Sequence, residues 1–210
     1  MNLPFPILYE DTSILVCIKP PKLPVQSRDV RTRDMESLLL AYLKDSGGSY
    51  LGVIHRLDTN VRGIMVFAKS KAAAAKLSED MRNQQFKKTY HAWVIGHVKP
   101  AKGTLLHYLY KDPRSNTSTI VQKETKGSKK ARLSYCLLSY NQDKDASLLE
   151  INLETGRHHQ IRLQLSHIGH PIIGDTKYGA PKTPESNLCL EAFRLSFPHP
   201  VTGEVLTFCL

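Results

Sequence analysis

Residues 52–63 read Gly52-Val53-Ile54-His55-Arg56-Leu57-Asp58-Thr59-Asn60-Val61-Arg62-Gly63. A cation, Arg56, and a carboxylate, Asp58, stand two residues apart in this otherwise largely apolar stretch. Hydrophobic runs at 51–54 and 64–67 flank them, which predicts a charged loop carried by two buried strands. Such a loop is typical of a functional site, although an Arg–Asp salt bridge that steadies a turn explains the stretch equally well. The rest of the chain must decide between the two.

Length and charge narrow the class of protein. The chain has 210 residues with 41% hydrophobic content, which is enough for one substantial core and predicts a single domain over residues 1–210. Lys and Arg number 29 against 19 Asp and Glu, so a polyanionic partner such as nucleic acid is favoured, with an anionic membrane surface as the competitor. No apolar run approaches the roughly 20 residues of a membrane-spanning helix, and the N-terminal residues do not resemble an export signal. We therefore expect a soluble, cytoplasmic protein.

Local patterns predict several helices and strands. Residues 13–18 are typical of a strand that ends at consecutive prolines. Asp34 is placed to cap a helix that ends at Gly47, and Ser70 to cap an alanine-rich helix that continues to about Met81. These helices and strands do not alternate regularly, which indicates an α+β fold with a mixed, largely antiparallel sheet flanked by helices and loops.

Tyr90 lies in a segment with strict two-residue alternation. Tyr90, Ala92 and Val94 share one face of this predicted strand, and the intervening residues share the other. Tyr90 is therefore expected to point into an interior or a cleft.

A polar and cationic segment follows at 114–130, with Lys126, Lys129 and Lys130 around a Gly-Ser pair. We interpret it as a hairpin arm that contacts phosphates, because the chain as a whole is strongly basic. A solvated loop is the alternative, since most runs of charge are simply hydrated.

A second chemical cluster occupies residues 155–162, where an alternating strand runs into Thr155-Gly156-Arg157-His158-His159-Gln160-Ile161-Arg162. The pattern predicts a helix that stops at Gly169, with Arg157 and Arg162 in its first two turns. Two guanidinium groups at such an end suit an anion, and one of them would keep a catalytic carboxylate ionised. Ordinary helix-surface arginines are the alternative.

Metal binding is not indicated. Histidines cluster near Asp175, but neither the HExxH spacing nor a cysteine pair of a zinc site occurs, and the four cysteines are far apart. We expect no metal and free thiols.

Taken in order, the motifs closely resemble those of the RluA-like pseudouridine synthases. The resemblance rests on stretches that span nearly the whole chain: Tyr9-Glu10-Asp11, Lys19-Pro20, His55-Arg56-Leu57-Asp58 with Gly63, Lys88-Thr89-Tyr90-His91-Ala92, Thr155 to Arg162, Gly169-His170-Pro171-Ile172-Ile173-Gly174-Asp175, Tyr178-Gly179, and Arg194-Leu195-Ser196-Phe197 with His199-Pro200.

The resemblance implies an isomerase that converts uridine in RNA to pseudouridine without cofactor or metal. Asp58 matches the essential nucleophile, Arg162 the arginine that pairs with it, and Tyr90 the tyrosine that packs on the target base. Arg56 matches a residue that enters the space left by a flipped nucleotide. The implied substrate is ribosomal RNA, with 23S rRNA favoured, or transfer RNA, and a monomer is the simplest expectation.

Departures from the family pattern concern loops. Val61-Arg62-Gly63 replaces the more common Thr-Ser-Gly, so that Arg62 is an additional candidate for phosphate contact. We also expect the chain to begin directly in the catalytic domain, without the separate N-terminal RNA-binding domain that many relatives carry. A non-catalytic RNA-binding protein on the same scaffold is the rival interpretation, although it would have no need of Asp58, Tyr90 and Arg162 together.

Overall fold

A computed structural model describes residues 3–29, 31–45, 47–182 and 187–210. Strands and helices follow one another along these residues in the order β1 (Ile7–Glu10), β2 (Ile14–Lys19), α1 (Met35–Asp45), β3 (Gly52–Val53), β4 (Arg62–Ala68), α2 (Lys71–Arg82), β5 (Lys87–Ile95), β6 (Lys102–Asp112), β7 (Thr117–Val121), β8 (Lys129–Asn141), β9 (Ala146–Leu153), α3 (Gln160–His167), a 3₁₀ turn (Thr176–Tyr178), β10 (Leu190–Pro198) and β11 (Val205–Cys209).

The chain divides into two compact units, one formed by residues 1–88 together with 192–210 and the other by residues 89–191. In the first unit β1 pairs with β2, β2 and β3 pair with β4, and β10 pairs with β11, all antiparallel. Aliphatic residues of β2 and β4 form its core with Leu77 of α2 and Phe197 of β10. The expectation of a single catalytic domain remains a prediction.

The two N-terminal helices begin where the sequence predicts. Asp34 accepts a hydrogen bond from the Ser37 amide (2.8 Å), and the Asp34 amide donates to the Ser37 hydroxyl (3.2 Å), so that α1 has a reciprocal cap. Ser70 caps α2 by accepting from the Ala73 amide at 3.1 Å. Gly47 follows α1 with a φ of +84°, the left-handed conformation that ends many helices.

The second unit is an antiparallel sheet in the order β5–β9–β8–β6–β7, with α3 against β6 and β7. Tyr90, Ala92 and Val94 of β5 are all buried, which confirms the predicted face of this strand. The α+β prediction is likewise confirmed. No helix within the described ranges is long and apolar enough to span a membrane.

Two local predictions need correction. Helix α3 begins at Gln160 and not at Arg157, because His159 takes the left-handed conformation (φ +51°) and breaks the helical path. Arg157 therefore lies in the loop before the helix, whereas Arg162 lies in its first turn. Segment 114–130 is also not one arm: it contains a turn, strand β7 and a second turn that leads into β8.

Candidate active site

Asp58 lies in the turn between β3 and β4. Leu57 and Val61, on either side of this turn, are only 8% and 2% exposed, and the Val61 amide donates to the Asp58 carbonyl at 3.0 Å. The two apolar side chains anchor the loop in the first unit, while Asp58 is half-buried and Arg56 is exposed. The charged turn is thus present as predicted, but of its two flanking strands only β4 is buried, whereas both residues of β3 are half-buried.

Lys19 supports this turn from inside the first unit. Its side chain is fully buried, and its ammonium donates to the carbonyls of Pro20 (2.7 Å), Leu23 (2.7 Å) and Thr59 (2.9 Å). Burial lowers the pKa of Lys19 to about 8, although the negative charge of Asp58 acts in the opposite direction. Lys19 therefore ties the end of β2 to the residue that follows Asp58. Sequence reasoning placed it in a motif but assigned it no role.

The His55 side chain is hydrogen-bonded to the backbone of β4. Its Nε2 accepts a hydrogen bond from the Val66 amide at 3.3 Å, which makes the imidazole a neutral acceptor at this position. Desolvation, with a contribution from nearby Lys88, lowers the pKa of His55 to about 3. The histidine beside Arg56 is thus part of the scaffold of the loop.

In the second unit Arg162 forms a bidentate ion pair with Asp175. Its Nε and Nη2 atoms donate to the two carboxylate oxygens, both at 2.7 Å, and the Asp175 side chain is only 1% exposed. The guanidinium carbon also lies 5.1 Å from the centroid of the Tyr178 ring. Carboxylate and ring together fix the plane of Arg162. The sequence analysis assigned no role to Asp175 or Tyr178. Asp175 could have been noticed, because it is an acid directly after a turn glycine, Gly174, in an otherwise apolar segment.

The Tyr178 hydroxyl extends this arrangement toward β7. It accepts a hydrogen bond from the Ser118 amide at 2.9 Å and lies 2.8 Å from the Nδ1 atom of His159. His159, the residue with left-handed backbone before α3, therefore contacts the same Tyr178 side chain whose ring packs against Arg162. Tyr90, the other predicted site residue of this unit, lies on β5 opposite Ile151 of β9 and is 7% exposed.

The predicted RNA-binding residues are distributed over both units. Arg56 and Arg62 are exposed in the first unit, and Lys126, Lys129, Lys130 and Arg157 are exposed in the second. The Nε atom of Arg157 donates to the Lys130 carbonyl at 2.9 Å, which holds this arginine against the start of β8. Because Asp58 belongs to the first unit and Tyr90 and Arg162 belong to the second, the pairing of Asp58 with Arg162 stays a prediction.

Comparisons with known proteins bear on this arrangement of residues. The family model of RNA pseudouridylate synthases matches residues 13–167. An RNA pseudouridine synthase of Aquifex aeolicus is 33% identical over 99% of this chain and 69% of its own length. The ribosomal large subunit pseudouridine synthase D of Pasteurella multocida is 31% identical over 98% of this chain and 66% of its own, and tRNA pseudouridine synthase C of the same organism is 30% identical over 97% and 89%.

A solved structure gives the same result at the level of the fold. Human RNA pseudouridylate synthase domain containing 4 is similar with a TM-score of 0.82 and 25% identity, over 97% of this chain and 87% of that one. The fold and motifs therefore define an isomerase of RNA, and the chain belongs to the RNA pseudouridylate synthase family in its RluA-like branch. It spans between 65% and 71% of the length of the first four curated relatives that it matches.

Proposed function

We propose that this protein isomerises specific uridines of structured RNA to pseudouridine, and that Asp58 is the nucleophile. The observation that carries the proposal is the similarity over 98% and 97% of the chain to a ribosomal large-subunit enzyme and a transfer-RNA enzyme of this family. Ribosomal RNA, with 23S rRNA favoured, or transfer RNA is the substrate. The working protein is a cytoplasmic monomer that needs no cofactor, with one catalytic domain over residues 1–210.

The reaction breaks the N1–C1′ glycosidic bond of a uridine, turns the uracil ring and joins C5 to C1′. The proton is then lost from C5 and N1 gains one, so that substrate and product have the same composition. The Asp58 carboxylate either attacks the anomeric carbon or adds to the uracil ring, or it stabilises positive charge on the sugar as the bond breaks. A turn fixed by Leu57, Val61 and Lys19 suits each of these roles, because it restricts the movement of the reacting oxygen.

Arg162 and Tyr90 complete the proposed site. Two of the five guanidinium donors of Arg162 bind Asp175, and the proposed pairing with Asp58 uses others, which keeps the nucleophile ionised and oriented. Tyr90 packs on the target base, and its hydroxyl takes part in proton transfer. Asp175 acts only through Arg162 and is a positioning residue.

Access to a stacked uridine requires base flipping, which costs a few kcal/mol of lost stacking and pairing. Arg56 is exposed two residues before Asp58, and its planar guanidinium suits the space that the flipped nucleotide leaves. Arg62, Arg157, Lys126, Lys129 and Lys130 supply phosphate contacts around it.

Carbodiimide mapping of pseudouridine tests the proposal directly. RNA from cells that lack the protein would be treated with the purified protein, and the modified positions would be read by primer extension. The wild-type protein should restore modification at defined uridines, and Asp58→Asn should lower its rate at least about 1,000-fold.

RNA affinity is the second measurement in this experiment, because Asp58→Asn removes chemistry and leaves the binding surface intact. An exposed aspartate of the second unit, changed in Asp143→Asn, is the matched control and should retain full activity. Modification by Asp58→Asn at the wild-type rate would refute the nucleophile assignment. Absence of any pseudouridine with the wild-type protein would favour the non-catalytic RNA-binding alternative.

A further inference from the structure

A cavity of about 340 Å³ lies in the second unit, apart from the Arg162–Asp175 pair. Its walls come from β6, β7, the turn before β8, the start of β8 and the loop that precedes α3. It is lined by Leu109, Lys111, Ser118, Gly127, Lys129, Gly156, Arg157 and His158. Four of these eight residues are lysine, arginine or histidine, and none is acidic. The charges of the lining residues therefore favour an anionic ligand.

Among the described residues, no acid forms an ion pair with the lysines and the arginine that line the cavity. Within the described part of the chain, no carboxylate lies within 4 Å of the charged groups of Lys111, Lys129 or Arg157. Like charges that converge on one cavity repel one another, and a bound anion offsets that cost. The neighbouring Asp112 carboxylate accepts hydrogen bonds from the Ser115 hydroxyl and the Arg114 amide, and so stabilises the turn between β6 and β7.

Two walls of the cavity are held in place by hydrogen bonds. The Ser118 hydroxyl, on a residue only 3% exposed, donates to the His158 carbonyl at 3.0 Å, and the Nδ1 atom of His158 lies 2.9 Å from the same oxygen of Ser118. Because a hydroxyl has one proton to donate, Nδ1 is the donor in the second contact. Arg157 is held through its Nε bond to the Lys130 carbonyl, with its Nη atoms as the remaining side-chain donors. Arg157 and the Ser118–His158 pair are thus held in place before any ligand binds.

The lining residues indicate which part of a nucleic acid the cavity binds. Its apolar wall is Leu109, which is 4% exposed, and the lining contains no Phe, Tyr or Trp on which a base would stack. Lysine and arginine donors suit phosphate oxygens. A backbone phosphate fits these donors, and the described lining offers no aromatic face on which a base would stack.

We propose that this cavity is a phosphate subsite, in which Lys111, Lys129 and Arg157 together bind one backbone phosphate of the RNA away from the target uridine. The inference rests on the proposed function and deepens it. Lys111 is an addition to the RNA-binding residues indicated by the sequence. Lys126 and Lys130 are not among the described residues that line the cavity, so they contact the RNA elsewhere or remain hydrated.

Salt dependence of RNA binding distinguishes one shared phosphate from several separate contacts. Fluorescence anisotropy with a labelled RNA hairpin would be measured over a series of KCl concentrations for the wild type, Lys111→Ala, Lys129→Ala and the double variant. Because both lysines bind one phosphate, the slope of log Kobs against log[KCl] should become shallower by about 0.7 to 0.9 in the double variant, which is the loss of one phosphate contact.

The matched control replaces Lys102 and Lys144, two exposed lysines of the same unit outside the cavity, by alanine. Its slope should equal that of the wild type. A double variant with the wild-type slope would overturn the subsite, and so would a change of about twice the expected size or more, which would indicate two independent phosphates.

Inorganic phosphate gives a second readout that does not depend on the RNA. In a ¹H–¹⁵N NMR titration of the whole chain, phosphate should shift the amides of Gly127 and Gly156 in the wild type and not in the double variant. Absence of these wild-type shifts would also overturn the subsite. Carbodiimide mapping of the same samples keeps the two proposals apart, because a chain with the expected slope change but no pseudouridine product would refute only the proposed function.

Discussion

Arg162 takes its orientation from Asp175, a nearly fully buried carboxylate that accepts two hydrogen bonds of 2.7 Å. A pair of this kind holds the guanidinium in one plane, and the Tyr178 ring lies 5.1 Å from the guanidinium carbon. Asparagine at 175 keeps the size of the side chain but loses its charge and one acceptor oxygen. The proposed contact of Arg162 with the nucleophile would then lose its fixed geometry.

We therefore predict that Asp175→Asn lowers kcat about 100-fold with little change in KM, since a small displacement of a positioning group costs roughly that factor. Single-turnover kinetics on a modified RNA fragment measure the effect, and thermal unfolding shows how much stability is lost. The control is again Asp143→Asn. A proportional rise in KM at constant kcat would mean that Asp175 supports RNA binding and not the chemical step.

His55 makes folding sensitive to acid. Its pKa is lowered from 6.5 to about 3 in the folded chain, so between these values the unfolded chain binds a proton that the folded chain does not. The stability contributed by neutral His55 is therefore complete above about pH 6.5 and is lost as the pH falls toward 3. The slope is at most about 1.4 kcal/mol per pH unit for one proton.

Urea unfolding of the wild type and of His55→Gln at a series of pH values tests this sign. We predict a shallower loss of stability for His55→Gln between about pH 6.5 and 5, above the range where carboxylates dominate. His97→Gln, at an exposed histidine, should follow the wild-type curve. Equal slopes for wild type and His55→Gln would contradict the lowered pKa.

Single residues also show where sequence reasoning ends. Asp58, Tyr90 and Arg162 were identified because the motifs around them resemble those of the RluA-like family. Lys19 and Asp175 received no role, since their partners are three backbone carbonyls and a guanidinium that only the folded chain brings to them. A buried charge is predictable from sequence only when its partner is local.

At the scale of elements, caps were predictable because they are local. Asp34 and Ser70 accept hydrogen bonds from amides three residues further along, so the sequence contains both donor and acceptor. The start of α3 was not predictable in the same way. His159 adopts φ +51°, which histidine seldom does, and its ring is held by the Tyr178 hydroxyl 19 residues away.

Gly63 at the start of β4 is required by the neighbouring strand. A Cβ on Gly63 would overlap the Cβ of Ala192 and lie 2.7 Å from the amide nitrogen and the carbonyl oxygen of that residue, and its φ of +154° disfavours other residues. The backbone of β10 cannot move aside without breaking its pairing with β11.

We predict that Gly63→Ala destabilises the chain by about 1–3 kcal/mol, the usual cost of overpacking. Chemical denaturation measures it. Gly203→Ala is the control, because Gly203 also has a positive φ (+75°) but a Cβ added to it would have nothing within 4 Å. Equal losses in the two variants would assign the cost to backbone conformation alone and contradict the role of close approach to β10.

At the scale of the whole molecule, the fold class was predictable and the order of strands was not. Alternating apolar residues indicate strands wherever they lie, but pairings such as β2 with β4 and β5 with β9 join residues far apart in sequence. The excess of ten positive charges indicated a polyanionic partner, and family membership names RNA. The cavity was not predictable, because Lys111, Lys129 and Arg157 come together only when β6, β8 and the loop before α3 are assembled.

The first unit is built from two separated stretches of chain, and this affects how the protein is made. Residues 89–191 leave the ribosome as one continuous segment, whereas residues 1–88 must wait for 192–210, which supply β10 beside β4 and the His199 ring that lies 2.8 Å from Asp11. The unit that carries Asp58 is therefore completed only after residues 89–191 have been synthesised. All residues known to line the cationic cavity are thus synthesised before the residues that complete the unit of the proposed nucleophile.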